Sequence, residues 1–311
     1  MIVHRAAGKP ERVLTETRGG RTLRTLMRLM MRRTLAAVTV GHRQIAQQAP
    51  DALAAQTPKG AVALGGAVPH PRSVRPDDLF FSAMAAVALI AVLVGFARTY
   101  FLAGLFRAPL PNMLVHIHAA AFTSWIVLLI AQISLVAARR VDLHRRLGQL
   151  GFVLAMLMIV LGVLTATDRL ARQSLNPGAD GIEEVRHLYA VSLGGMLMFG
   201  TFIYLGYRNR FRPAVHKRLV LFATFSLLDA GFDRWPVFDP YSLPVVNLIC
   251  FTPLVLLTMA YDRWSSGRVL PVTLWSTLFL FTVQQGRHLL SDTAAWQGFT
   301  MWVQLHTPSF S

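Results

Sequence analysis

Four histidines stand where imidazoles can do chemistry: His118, His144, His187 and His216. His118 opens the stretch HAAAFTSWIVLLIAQISLVAARR and His187 opens HLYAVSLGGMLMFGTFIYLGYRNR, each at one end of an apolar run. His144, in DLHRRLGQLG, and His216, in AVHKRLVLFA, begin the runs that return. Ionisable side chains in such runs are costly, and they mark function. A b-type haem takes two neutral imidazoles from facing helices as axial ligands in an apolar slot. His118 with His187 would make one such site and His144 with His216 another, so that two haems would stack across a bilayer as a path for electrons. Plainer readings stand beside this one. His118 and His187 can be hydrogen-bonded core histidines. His144 and His216 can be topology anchors, with Arg145, Arg146, Lys217 and Arg218 meeting lipid phosphates or another anion at the positive ends of helices.

Asp229 is the other residue with chemistry in it. It follows Arg218 by 11 residues, hence by ~16 Å along a helix rising 1.5 Å per residue, close to mid-bilayer. Asp233 lies one turn further on, with Arg234 beside it. A carboxylate at that depth is protonated, ion-paired or part of a proton or cation path. The candidate partners are Arg98, Arg234 and His187, and a polar clamp between helices is the plainer role.

The elements that must position these residues are apolar runs of about 20 residues, the length a bilayer core demands of a helix. Spans are expected near 79–103, 113–137, 147–167, 187–206, 219–237, 243–261 and 270–286. The last ends in the polar run Gln284–Gln285–Gly286–Arg287–His288. Trp296, Phe299 and Trp302 recur at helical spacing in the segment 292–311, which suits a helix lying in the membrane interface. Arg139, Arg140, Arg145, Arg146, Arg208, Arg210, Arg212, Lys217, Arg218, Arg263 and Arg268 all fall on one side of these spans. By the positive-inside rule that side, and the N-terminus with it, is cytoplasmic and the C-terminus external.

Two helix pairs look alike. In each, a histidine opens a span, an arginine cluster follows, and a second histidine with basic neighbours opens the return. His118 and His187 are 69 residues apart, and His144 and His216 are 72 apart. Such duplication often places a site at the interface between the repeats.

Composition agrees with a membrane domain behind a polar leader. The 311 residues are 54% hydrophobic and 15% charged, whereas a soluble domain carries about a quarter charged residues. Residues 1–79 hold 13 Lys/Arg against 5 Asp/Glu. Residues 1–78 therefore read as a basic, largely disordered cytoplasmic tail. Within it Arg21–Val40 could form an amphipathic surface helix, although an unstructured leader is the plainer reading. No cleavable signal peptide is evident. Half of the net charge of +16 lies in that leader; the other half sits between apolar spans, where anionic headgroups explain it better than nucleic acid. Cys250 is the single cysteine, so no intrachain disulfide forms. Nothing resembles a hydrolase triad, a nucleotide-binding loop or a thiolate metal site.

The layout of the four histidines over residues 113–237 is similar to the ascorbate-linked di-haem cytochrome b family, in which a four-helix bundle carries two haems. That resemblance implies haem b as cofactor and transmembrane electron transfer as activity. It departs from the family pattern at His144 and His216, which precede their apolar runs and sit among arginines. GFARTYFL (95–102), HIHAAAFTSWIVLLIAQ (116–132), VDLHRRLGQLG (141–151) and TAAWQGFTMWV (293–303) resemble a family of bacterial multi-pass membrane proteins with no established activity. The expected architecture is thus an all-α polytopic bundle of about seven spans over residues 79–291, in a bacterial inner membrane. Its expected activities are haem-based electron transfer, a proton-coupled small-solute carrier centred on Asp229, or a structural or lipid-interacting role.

Overall fold

The computed structural model describes residues 75–106, 111–175 and 181–307. The expected basic tail lies outside the described residues, apart from its last four positions. The chain divides into two units, Met1–Pro71 and Arg72–Ser311, and only the second is described below.

Every regular element among the described residues is helical. They are α1 (Pro76–Phe96), α2 (Ala103–Phe106), α3 (Met113–Ala137), α4 (Val141–Leu175), α5 (Ile182–Arg208), α6 (Pro213–Phe225), α7 (Asp229–Phe232), α8 (Leu243–Ser266), α9 (Pro271–Ser291) and α10 (Ala294–His306). Five helical stretches are long and apolar enough to cross a membrane: Pro76–Phe101, Met113–Ala137, Val141–Arg172, Ile182–Arg208 and Leu243–Ser266.

The starts and stops follow from local chemistry. Proline occupies the first turn of α1, α6, α8 and α9, where its missing N–H costs nothing. Asn112 caps α3 by accepting from the Val115 N–H at 3.0 Å. α8 ends at Gly267, whose φ of 75° is the left-handed conformation a helix stop favours.

Two of the seven expected spans have a different form. The run 219–237 does not continue as one helix: α6 stops at Phe225, and the chain restarts at Asp229 as the single turn α7. Ser226 Oγ donates to the Ala223 carbonyl at 2.7 Å, and Asp229 Oδ1 accepts from the Ala230 N–H at 2.7 Å. Short polar side chains that bond the local backbone in this way compete with helix propagation. Pro236 then holds Trp235 extended (φ −79°, ψ 123°) and ends the segment. The run 270–286 becomes α9 from Pro271 onward, and the helix carries on for five residues past the run through Arg287 and His288.

α1 passes into a π-helical turn at Ala97–Phe101, a feature frequent at functional sites. Just before it, Gly95 meets Gly231 of α7 backbone to backbone: a Cβ on Gly95 would lie 2.2 Å from the Gly231 carbonyl oxygen. Only glycine permits helices to approach so closely. α5 runs through the middle, packed on α4, α6 and α9, with α3 on α4 and α1 on α3. Phe199, Phe222, Phe251, Met158 and Met198 are buried together at the core.

The paired hairpins expected from the repeat are present as α3–α4 and α5–α6, and His144 and His216 each hold the fourth position of their helix. The hairpins differ in their second members. α4 runs unbroken for 35 residues, whereas α6 breaks after 13.

Candidate functional site

The break between α6 and α7 carries Asp229 into the interior, where it is 6% exposed. Its Oδ2 accepts from Nη1 of Arg287 on α9 at 2.7 Å. The same nitrogen donates to the Val191 carbonyl of α5 at 2.9 Å, so one guanidinium ties three elements together. Gly194 makes room for it, since a Cβ there would sit 2.8 Å from Arg287 Cδ. An ion pair so buried is stable only when geometry and further hydrogen bonds offset desolvation. Asp229 has that set, but Arg287 has it only in part: its Nε and Nη2 are buried with no protein partner.

The next residue on α9 extends the polar core. His288 Nδ1 lies 2.7 Å from His187 Nε2, and Asn247 Nδ2 donates to His288 Nε2 at 3.2 Å. Because Asn247 donates, His288 accepts at Nε2 and must carry its proton on Nδ1, where it donates to His187. The result is a directed relay from Asn247 through His288 to His187, joining α8, α9 and α5. Gln284, fully buried one turn before His288, has neither amide atom bonded. Asp233 Oδ1 and Asn247 Oδ1 are likewise buried without partners. The core is therefore rich in unspent donors and acceptors, a condition that is expensive in a dry interior.

The partner of Asp229 is thus none of the three that the sequence offered. Arg98 is exposed in the π turn, its guanidinium 5.4 Å from the Phe106 ring. Arg234 donates back to the Ala230 carbonyl and lies 4.6 Å over Phe96. His187 belongs to His288. The structure likewise gives no hydrogen bond or ring contact joining His118 to His187 among the described residues: His118 stacks on Phe122 with ring centres 4.1 Å apart. Two imidazoles on one iron hold their nitrogens ~4 Å apart across the metal. His118 and His187 do not fit that arrangement, since the His187 Nε2 that would face iron faces His288 instead.

His144 and His216 do come together, edge to face, with ring centres 6.4 Å apart. His216 Nδ1 donates to the Gly206 carbonyl at 2.9 Å, the kind of bond that fixes a metal-ligating tautomer. Rings whose nitrogens lie ~4 Å apart across a metal have centres about 6 Å apart, so the separation of these two rings is of that order.

Around it, the four basic residues expected at headgroups divide. Arg145 and Arg146 are exposed. Lys217 pairs with Asp77 at 2.7 Å. Arg218 turns inward and is 2% exposed. Its Nε donates to Asp262 Oδ1 at 2.7 Å, its Nη2 to the same oxygen, and its Nη1 to the Ala214 carbonyl at 2.7 Å. Asp262 Oδ2 accepts from Thr273 Oγ1 at 2.5 Å and from the Leu270 N–H at 3.1 Å. Arg218 is therefore a fully engaged clamp of α6, α8 and α9 rather than a lipid contact. It shares α9 with the Asp229–Arg287 pair, meeting that helix near its start at Thr273, whereas Arg287 lies near its end.

Sequence reasoning missed Arg287, His288, Asn247, Gln284 and Asp262. The signal was periodicity: Thr273, Ser276, Leu280, Gln284, Arg287, His288 and Ser291 are buried on one face of α9, while Leu274, Trp275, Leu278 and Leu289 are exposed. The chain matches no protein-family model, and comparison with curated proteins and with solved structures found no match either.

Proposed function

We propose that this chain is a seven-span protein of the bacterial inner membrane, N-terminus inside and C-terminus outside, working as a proton-coupled carrier of a small solute. The broken α6–α7 segment and the inward-polar α9 complete the five apolar spans. Lipid-facing apolar residues on α9, opposite its buried polar stripe, support its crossing. This threading puts the turns after α3, α5 and α8, rich in arginine, on the cytoplasmic side, and lays α10 in the outer interface.

One observation carries the reading: a buried ion pair, Asp229–Arg287, sits at a helix break with unbonded donors and acceptors around it. Discontinuous helices in carriers place backbone and charge at a central site. Intramembrane carboxylates and histidines there relay protons; Asp229 and the His288–His187 pair, which Asn247 orients, are the groups that would do so here. Reconstituted protein with a pH-sensitive dye trapped in the vesicles tests it. At least one class among small amines, sugars, amino acids and carboxylates is expected to move protons faster than in protein-free vesicles. If none does, the carrier reading falls.

A second reading is a b-type haem held between His144 and His216, supported by their 6.4 Å separation and by the Gly206 bond. Such a haem would supply one-electron transfer. The absorbance of the same preparation decides it: a Soret band that shifts on dithionite reduction and disappears in His216→Ala supports this reading, and a colourless protein removes it.

A further inference from the structure

Arg287 is held by one end only. Nη1 serves Asp229 and Val191, while the Nε–Nη2 edge, buried on a side chain 2% exposed, has no hydrogen-bond partner in the protein. That edge is the planar two-donor fork that matches the two oxygens of a carboxylate. We infer that Arg287 binds the carboxylate of a small organic acid on this edge, with the Gln284 amide completing the contact. This rests on the carrier reading above and names its substrate class.

Three observations support the assignment. Asp229 anchors the guanidinium without using the fork, so the fork is pre-oriented rather than mobile. Gln284 precedes Arg287 by three residues on the same buried face of α9, and its Nε2 and Oε1 are both unbonded, so its amide can donate to a second ligand oxygen or accept from an acid hydroxyl. Gly194 of α5 leaves room for the Arg287 side chain, since a Cβ there would lie 2.8 Å from Arg287 Cδ. No covalent step is involved.

Thermal unfolding of the full chain in detergent tests this directly, with sodium acetate, benzoate and succinate as probes and sodium chloride, sodium phosphate and methylammonium chloride at matched ionic strength as controls. At least one carboxylate is expected to raise the unfolding midpoint of the wild type, and the controls are not. Arg287→Lys keeps the charge beside Asp229 but removes the fork, and is expected to weaken carboxylate binding at least about 10-fold. Gln284→Leu, whose native amide makes no hydrogen bond to Asp229 or Val191, is expected to weaken binding too, and serves if Arg287→Lys does not fold. A wild type blind to every carboxylate, or variants that bind as the wild type does, would overturn the assignment. If proton movement is driven by a solute without a carboxylate, this assignment fails while the carrier reading stands. Carboxylate binding lost in Arg287→Lys, with no proton movement in vesicles, leaves the site standing and removes the carrier.

Discussion

Asp262→Ala is expected to destabilise the protein by about 3–5 kcal/mol, the cost of leaving a buried charge without its partner. Asp262 is fully buried and receives four hydrogen bonds, two of them from Arg218 and two from α9 and the residue before it. Its removal strands a guanidinium that is 2% exposed and frees the Thr273 hydroxyl at the same time. Solvent does not reach the site to compensate. The double variant Arg218→Met/Asp262→Leu is expected to recover most of the loss, because two apolar side chains of similar bulk leave no charge behind. Denaturant titration of the detergent-purified chain, followed by tryptophan fluorescence, measures both. A single variant as stable as the wild type would show that the pair is not buried as described.

Gly95→Val is expected to be comparably damaging for a different reason. A Cβ at Gly95 would stand 2.2 Å from the carbonyl oxygen of Gly231 and 2.7 Å from its Cα, and both obstacles are backbone. No rotamer change relieves such a clash, so α1 must move away from α7, at a cost of about 3 kcal/mol or more. Because α7 carries Asp229, the Asp229–Arg287 pair moves with it. Gly104→Val is the matched control, since nothing lies within 4 Å of a Cβ there. The thermal midpoint of Gly95→Val should fall by many degrees, and that of Gly104→Val should stay near the wild-type value.

Much of this architecture is legible in the sequence. Five apolar runs became five helices because backbone hydrogen bonding leaves a long apolar segment little alternative. The two departures share a cause. Averaged hydropathy records how apolar a stretch is, not which face its polar residues take. Over 219–237 it reads through Ser226 and Asp229, whose side chains turn to the local backbone and end α6. At 284–288 it reads a polar end to a span, although Gln284, Arg287 and His288 form the inward stripe of a longer helix. His187 stood out in sequence because it opens an apolar run, but its partner did not, because His288 lies 101 residues away on a helix that looked finished. Asp229 stood out by depth alone. Its cation could not be read from spacing, since α9 meets α7 only in three dimensions. The repeat matched histidine to histidine, yet the symmetry breaks where α6 breaks. That break is also where the buried polar core lies.

The central claim is that Asp229, set at the helix break against Arg287, carries the proton that the solute brings. It is tested most directly by solute-driven proton uptake in vesicles holding Asp229→Asn, compared with wild type at equal protein density. Asparagine keeps the shape and an oxygen for Arg287 but cannot cycle a proton. The expected result is uptake reduced to the protein-free level, with the variant still monodisperse and helical. A folded Asp229→Asn protein that moves protons at the wild-type rate would contradict the account.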